Sequence, residues 1–455
     1  AASDITAPKT THCATCVNQN PRDTLGSSAD FLFMASPWPG DTPLIDACRH
    51  GRADAAAALL ESGTDVNEPK TDGRGATPLY IACQEGQIEV VSLLLTKGAA
   101  VNQASEIGIT PLLTACHEGH SEVVMLLLTK GAEINQAKDN GITPLFIACQ
   151  NGHIEVVSQL LTKGAAVNQA KDSGTTPLYM ACQEGRIDLV TLLLSHGALV
   201  NQVNDNNASP LGIACHEGHI EVASLLLTHG AAVNHVMHHG ALPLLMACQN
   251  GHTEVASLLL THGADLNRAT RHGITPLYMA CAQGRLDCVQ LLSSHGASRI
   301  FTIVTSEWTA ESVAELEYHD EVIAWLATSR LWSTPLHHLT IIDTGRACAL
   351  LQGGADLNAA ATADGPTPLS LALSLRTAGN AAEGTAAHLV LRAAGLWSEH
   401  THELFPAAAR ARAVTLLLLG YRLSRQERFF GQEVAFFDAW MHHVMPHAVY
   451  RAFST

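Results

Sequence analysis

Residues 143–174 read TPLFIACQNGHIEVVSQLLTKGAAVNQAKDSG, and this stretch decides the fold. Thr143 sets a hydroxyl where a helix N-cap belongs, and Pro144 fixes φ at the first helical position. Leu145, Ile147, Ala148 and Cys149 follow at helical spacing, and Gly152 stops this short helix. Ile154, Val156, Val157, Leu160 and Leu161 form a second, more apolar helix. Lys163-Gly164 ends it with a basic last turn and a left-handed cap. Val167-Asn168 and the polar run to Gly174 read as a projecting loop that turns back.

The unit recurs. Pro43, Pro78, Pro111, Pro144, Pro177, Pro210, Pro243 and Pro276 head successive copies; the first interval is 35 residues and each later one 33. Pro335 and Pro368 are again 33 apart. A fixed period of this length marks a stacked array whose units bury their apolar faces only against neighbours. Thr110-Pro111-Leu112, Ala115-Cys116, Gly119-His120, Glu122-Val123-Val124, Leu126-Leu127-Leu128 and Gly131-Ala132 closely resemble the ankyrin repeat, over residues 41 to about 300 and again from about 333 to 375. The resemblance implies an all-α fold, an ankyrin solenoid of helix-turn-helix units with β-hairpin fingers, followed by a helical C-terminal extension. It also implies a Thr–His hydrogen bond inside a T-P-L-H turn. That His slot holds Ile45, Tyr80, Leu113, Phe146, Tyr179, Gly212, Leu245 and Tyr278, so aromatic or aliphatic packing is the expected substitute; only Thr334-Pro335-Leu336-His337 keeps it. The finger Asp falls one place late, as in Asp139, Asp172 and Asp205.

Five segments follow from the pattern. Residues 1–40, rich in Thr, Ser, Asn and Pro, read as a disordered leader with Met34 as a candidate start. Residues 41–300 hold repeats one to eight. Between Pro276 and Pro335 lie 59 residues rather than 66, so 301–332 reads as a degenerate repeat with a shortened finger and no T-P-L, its second helix at Glu321 to Leu326. Residues 333–375 hold further repeats, and 376–455 a helical cap or effector segment. Within 401–455, six Arg face four acids, so this end is slightly basic on an acidic chain.

Composition narrows the function. The 455 residues are 47% hydrophobic and 15% charged, which excludes general disorder. Lys+Arg total 26 against 42 Asp+Glu, a formal charge of -16, which opposes phosphate binding and docking on anionic membranes. No apolar run reaches the roughly 18 residues of a spanning helix. Cys83, Cys116, Cys149, Cys182, Cys215, Cys248 and Cys281 recur once per repeat as small buried hydrophobes. Stacked repeats lie about 10 Å apart and a disulfide needs Cα atoms within about 7 Å, so these are expected to be free thiols of a reducing cytoplasm or nucleus. Cys13 and Cys16 form a C-x-x-C without a second pair.

Histidine follows the repeat. His120, His153, His219 and His252 occupy the turn between helices, and Lys97, Lys130, Lys163, His196, His229, His262 and His295 precede the capping glycine, where a basic group suits the helix dipole. His400, His402 and Glu403 do not form H-E-x-x-H, nor do His442, His443 and His447, and no nucleophile elbow or phosphate loop is present. No catalytic, cofactor-binding or metal residue is assigned; an enzyme would need a C-terminal pocket.

Comparing the units with one another locates the expected binding residues. The finger tips differ: Lys138, Asp139 and Asn140; Lys171, Asp172 and Ser173; Asn204, Asp205 and Asn206; Met237, His238 and His239; Arg271 and His272. So do the pairs ending the first helices: Gln150 and Asn151, Gln183 and Glu184, His216 and Glu217. In ankyrin proteins these two sets line one concave groove, here about 70 to 80 Å long at about 10 Å per unit. The resemblance therefore implies non-catalytic binding of another protein by a monomeric scaffold. The alternative is an adaptor whose C-terminal segment recruits machinery such as a ubiquitin ligase. Tyr80, Phe146, Tyr179 and Tyr278 are candidate aromatic anchors, and His235, His238, His239 and His272 a candidate pH-sensitive patch.

Overall fold

The computed structural model describes residues 40–71, 74–303, 306–332, 334–362, 365–394, 402–405, 407, 409–411 and 413. The leader up to residue 39, with Cys13, Cys16 and Met34, lies outside them, as do residues 414–455 of the expected helical extension. The described residues fall into two compact units that divide after Ala132. The first holds three helix pairs: α1 (Pro43–Arg49) with α2 (Ala53–Glu61), α3 (Pro78–Gln84) with α4 (Ile88–Thr96), and α5 (Pro111–Glu118) with α6 (Ser121–Thr129). The second opens with five more. These are α7 (Pro144–Asn151) with α8 (Ile154–Thr162), α9 (Pro177–Gln183) with α10 (Ile187–Ser195), α11 (Pro210–Glu217) with α12 (Ile220–Thr228), α13 (Pro243–Asn250) with α14 (Thr253–Thr261), and α15 (Pro276–Ala282) with α16 (Leu286–Ser294). Strands β1 (Ile300–Ile303) and β2 (Ser306–Thr309) come next, then α17 (Ala310–Leu316), α18 (Asp320–Thr328), α19 (Thr344–Gln352), α20 (Pro368–Thr377) and α21 (Ala386–Ala393).

The repeated sequence explains the repeated caps. Thr143 Oγ1 accepts from Phe146 N at 3.1 Å, and Thr176, Ser209 and Thr275 cap α9, α11 and α15 in the same way. Leu242 stands in the capping place of α13 and supplies no such bond. After α8, Gly164 N donates to Leu161 O at 3.0 Å and Ala165 N to Leu160 O at 2.9 Å, the paired bonds of a Schellman end. His196, His229, His262 and His295 each place Nδ1 2.9 Å from the carbonyl four residues back, which satisfies a helix-end acceptor.

From α4 to α16 one leucine of each second helix faces fully inward, Leu94 and Leu127 in the first unit and Leu160, Leu193, Leu226, Leu259 and Leu292 in the second, whereas α2 buries only Ala56. Each such burial contributes about 1.5–3 kcal/mol. The repeat cysteines lie beside them as buried free thiols.

Polar side chains lock neighbouring repeats. His219, His252 and His319 direct Nε2 to carbonyls of the preceding unit, Gln183, His216 and Ala282, at 3.1, 3.0 and 3.1 Å. Each V-N asparagine reaches forward instead. Asn201 Oδ1 accepts from Ala232 N at 2.9 Å while its Nδ2 donates to Gly230 O at 3.1 Å, and Asn168 and Asn234 repeat the pair. Asn201→Ala removes both bonds and is expected to cost about 2 kcal/mol, at about 1 kcal/mol per bond. Asn201→Asp keeps the acceptor and should lose about half as much in urea unfolding; equal losses would show that the Oδ1 bond contributes nothing.

The fingers between α5 and α15 are tight hairpin turns whose arms are too short to pair as strands. Each closes with a backbone bond across five residues, Lys138 N to Ile142 O, Lys171 N to Thr175 O, Asn204 N to Ala208 O, Met237 N to Ala241 O and Thr270 N to Ile274 O, and with a turn bond back to the same first residue, from Gly141 N, Gly174 N, Asn207 N, Gly240 N and Gly273 N, all at 2.8–3.1 Å. The tips bond sideways instead, Asp172 N to Asn140 O, Asp205 N to Ser173 O and His238 N to Asn206 O, at 3.2, 3.1 and 3.3 Å. A five-residue loop has too few residues for a ladder of its own, so the adjacent finger satisfies the tip amide. Among the described residues the one strand pair is β1 with β2, antiparallel, with Phe301 opposite Trp308.

That pair is the finger ahead of residues 310–332, and α17 supplies their first helix. Thr309-Ala310 replaces Thr-Pro, and Thr309 and Ser312 form a capping box. Tyr318 takes, at φ 59°, the left-handed place before His319 that glycine holds in most other units. The shortening falls after α18, where residues 329–333 run directly to Thr334. Thr334-Pro335-Leu336-His337 then folds as a single turn of 3₁₀ helix rather than a full first helix. Here the Thr–His bond forms, Thr334 Oγ1 to His337 Nδ1 at 2.8 Å, with His337 Nε2 3.0 Å from Pro366 O. Leu336, Leu339, Ile342, Ala347, Leu351, Ala372, Ala387 and Val390 build a separate core beneath α19, α20 and α21.

Candidate partner-binding surface

Every finger-tip and helix-end residue singled out for binding lies in the second unit; of the candidate anchors, Tyr80 lies half-buried in the first. Thr175, Thr176 and Pro177, buried behind the tip, hold the finger bearing Asp172 and Ser173 outward. Asp139, Asn140, Asp172, Ser173, Asp205, Asn206, His238, Arg271 and His272 are exposed, as are Gln150, Glu184 and Glu217; Asn151, Gln183 and His216 are half-buried. The side chain of His239 lies outside the described residues.

Five of the chosen tip residues have structural work, His238 among them. Asn204 Oδ1 accepts from Asn206 N and Ala208 N, both at 3.0 Å, and so shapes its own turn. The Lys171 ammonium sits 5.3 Å from the centroid of Phe146. Met237 takes the corresponding place one finger pair later, and its sulfur packs on Gly212: a Cβ there would lie 2.7 Å from it. Lys138 N closes its finger, and its side chain is half-buried.

The expected anchors separate as well. Phe146 is 1% exposed, so it belongs to the core and offers a partner nothing. Tyr278 packs edge-on against Phe301, centroids 5.6 Å apart. Tyr179 is half-buried where the two variable sets meet, hydrogen-bonded to Asn204 of the next finger and close to Glu217 at the end of α11. Burial first, then the Glu217 carboxylate, pushes its hydroxyl up, so it stays a neutral hydrogen-bonding group at physiological pH. Tyr179 thus joins finger and helix end into one surface.

The surface is polarised. Asp139, Asp172 and Asp205 occupy one place on successive tips, and the series ends in His238, Arg271 and His272. His216 Nδ1 lies 3.0 Å from Glu217 Oε1. His235 and His238 point Nε2 at the carbonyls of Asn207 and Asp205, at 2.9 and 3.1 Å, so both help tie neighbouring fingers.

The thiols at the repeated position of α1, α7, α9, α11 and α15 are unsuited to nucleophilic attack. Burial pushes Cys48 and Cys281 up to about 12, and Cys149, Cys182 and Cys215 higher still, so none is a thiolate at neutral pH. Among the described residues no group of three or more His, Cys, Asp or Glu could hold a metal ion. No helix among them is long and apolar enough to cross a membrane.

A family model described as ankyrin repeats (3 copies) matches residues 22–105, 68–138, 112–204, 164–237 and 211–303. The chain belongs to the ankyrin-repeat family. Among curated proteins, none matches it. Ankyrin repeats are generally protein–protein interaction modules. In this ankyrin-repeat protein the variable residues divide by physical role: the outermost side chains of the tips and helix ends are free to face another molecule, while Lys171, Asn204, Met237 and His238 also serve the packing between fingers. Sequence reasoning passed over a second polar cluster, Arg299, Trp325, Trp332, His338 and Arg346, because its members come from five places around the shortened finger and share no spacing.

Proposed function

We propose that this chain is a non-catalytic recognition module that binds another protein on the surface running from the tip at Asp139 to the tip at His272, bounded by Glu184 and Glu217. The position of Tyr179 carries the reading, because it makes the variable tips and variable helix ends neighbours on one face. Affinity on such a face concentrates in a few side chains. The free thiols buried in each of the first eight repeats support a reducing compartment, the cytoplasm or nucleus, and the negative charge supports a protein partner over nucleic acid or an anionic membrane. The chain acts as a monomer in this reading.

The test compares the full chain with a variant carrying alanine at Asp139, Asn140, Asp172, Ser173, Asp205 and Asn206, which spares the side chains that pack the fingers. Proteins captured by the native chain should fall at least tenfold with the variant, about 1.4 kcal/mol, at unchanged far-UV circular dichroism. Undiminished capture by the folded variant removes the tips from the interface.

A further inference from the structure

His338 sits where the shortened finger joins α16 and α18 to the core beneath α19–α21. It is 2% exposed, and its Nδ1 is buried without a hydrogen-bond partner. Trp325 of α18 lies 5.9 Å from the imidazole at 32°, Trp332 lies 4.9 Å away edge-on, and the two indoles touch each other at 6.2 Å. Leu336, Leu339 and Ile342 flank it in sequence and belong to the core of α19–α21, so its ring is the wedge by which that core grips α18.

The charged groups around it are nearly all basic. Arg299, past the end of α16, stacks 5.4 Å from the Trp325 ring and donates to Ser329 Oγ at 2.8 Å. Arg346 of α19 donates to Ser294 O at 2.9 Å and pairs with His295 Nε2, both at the end of α16. His337 is the adjacent residue. The nearest acids are engaged elsewhere: Glu311 of α17 is 4.0 Å from Arg299, and Asp343 caps α19 through Arg346 N at 2.7 Å. Among the described residues no carboxylate hydrogen-bonds His338, so a proton on it would add a positive charge to a dry box already ringed by Arg299, Arg346, His295 and His337.

We infer that Trp325, Trp332 and His338 form an acid-sensitive clasp: neutral His338 holds the α19–α21 block on α16 and α18, and its protonation releases the block. The direction follows from linkage. Burial first, then Arg299, His337, Arg346 and His295, lowers the closed-state pKa from 6.5 to about 3. The open imidazole returns to the ordinary value, so the open state binds the extra proton. The clasp is fully stable above about pH 6.5 and loses stability as pH falls from there toward 3. At pH 5 opening is favoured about thirtyfold over pH 7.5.

Hydrogen exchange on the full chain at pH 7.5 and 5.0, corrected for intrinsic rates, tests this. Peptides spanning 320–352 should lose about thirtyfold in protection at pH 5.0, while those spanning 144–162 stay within about twofold. His338→Phe and His338→Asn should abolish the pH dependence. Unchanged protection of 320–352 in the native chain overturns the clasp, as does an equal loss in folded variants that lack the imidazole. Should neither variant fold, the native chain decides: loss confined to 320–352 supports the clasp, and loss spread evenly through 144–162 overturns it.

Discussion

Phe146→Ala is expected to destabilise the second unit by about 3–5 kcal/mol, the usual cost of emptying a buried aromatic site. Phe146 is 1% exposed on α7, and the Lys171 ammonium covers the outer side of its ring. The cap bond from Phe146 N to Thr143 Oγ1 is untouched, so the loss reads the emptied site together with the Lys171 contact on the ring. In a repeat array such a loss acts first on one unit and its two interfaces. Urea unfolding should therefore show an early transition, with residues 143–175 exchanging amide hydrogens ahead of 243–262. The same slot two repeats on is occupied by Gly212 and filled from outside by Met237. Lysine cannot imitate this, because its ammonium would have to leave water. The second change Lys171→Met should then recover at least about 1 kcal/mol of the loss. A cost below about 1 kcal/mol for Phe146→Ala would mean that the slot is not part of the core.

The contrast between Phe146 and Tyr179 marks what sequence can say about such a site. Both occupy the place that follows T-P-L, and both were equally plausible anchors. What separates them is the residue 25 positions later in each case, Lys171 or Asn204, and whether it covers the ring or bonds the hydroxyl. The helical part of the fold was readable because local causes repeat: a hydroxyl and proline at each start, a glycine after each end, an inward leucine between. The fingers were less readable because their hydrogen bonds run to the next finger, and a sideways partner leaves no trace in the spacing of one unit. The joint at His338 was illegible for the same reason on a larger scale. Arg299, Trp325, Trp332 and Arg346 converge only because residues 329–333 replace a finger.

Gly273→Ala is expected to cost about 3 kcal/mol, and Gly263→Ala about 1 kcal/mol, although the two glycines share nearly the same backbone conformation, φ 85° and 82°. Both substitutions incur the left-handed penalty of a side chain. At Gly263 a Cβ meets nothing within 4 Å; at Gly273 it would lie 2.0 Å from Thr302 O and 3.1 Å from Ile303 Cα. Those atoms are backbone of β1, held in register opposite β2, so they cannot swing aside as a flexible side chain would. The equivalent place one finger before Gly240 is Asn207, at φ 53°, which donates from Nδ2 to Val236 O at 2.6 Å. A non-glycine residue is therefore accepted where the next finger offers it a partner, and refused where a strand backbone already fills the space. Thermal unfolding of the two variants isolates that steric share, and hydrogen exchange of residues 298–309 should rise in Gly273→Ala alone. Equal losses in both variants would show that the tip of this finger does not rest on β1, and the hairpin would then owe its seat to Phe301 packing on Tyr278.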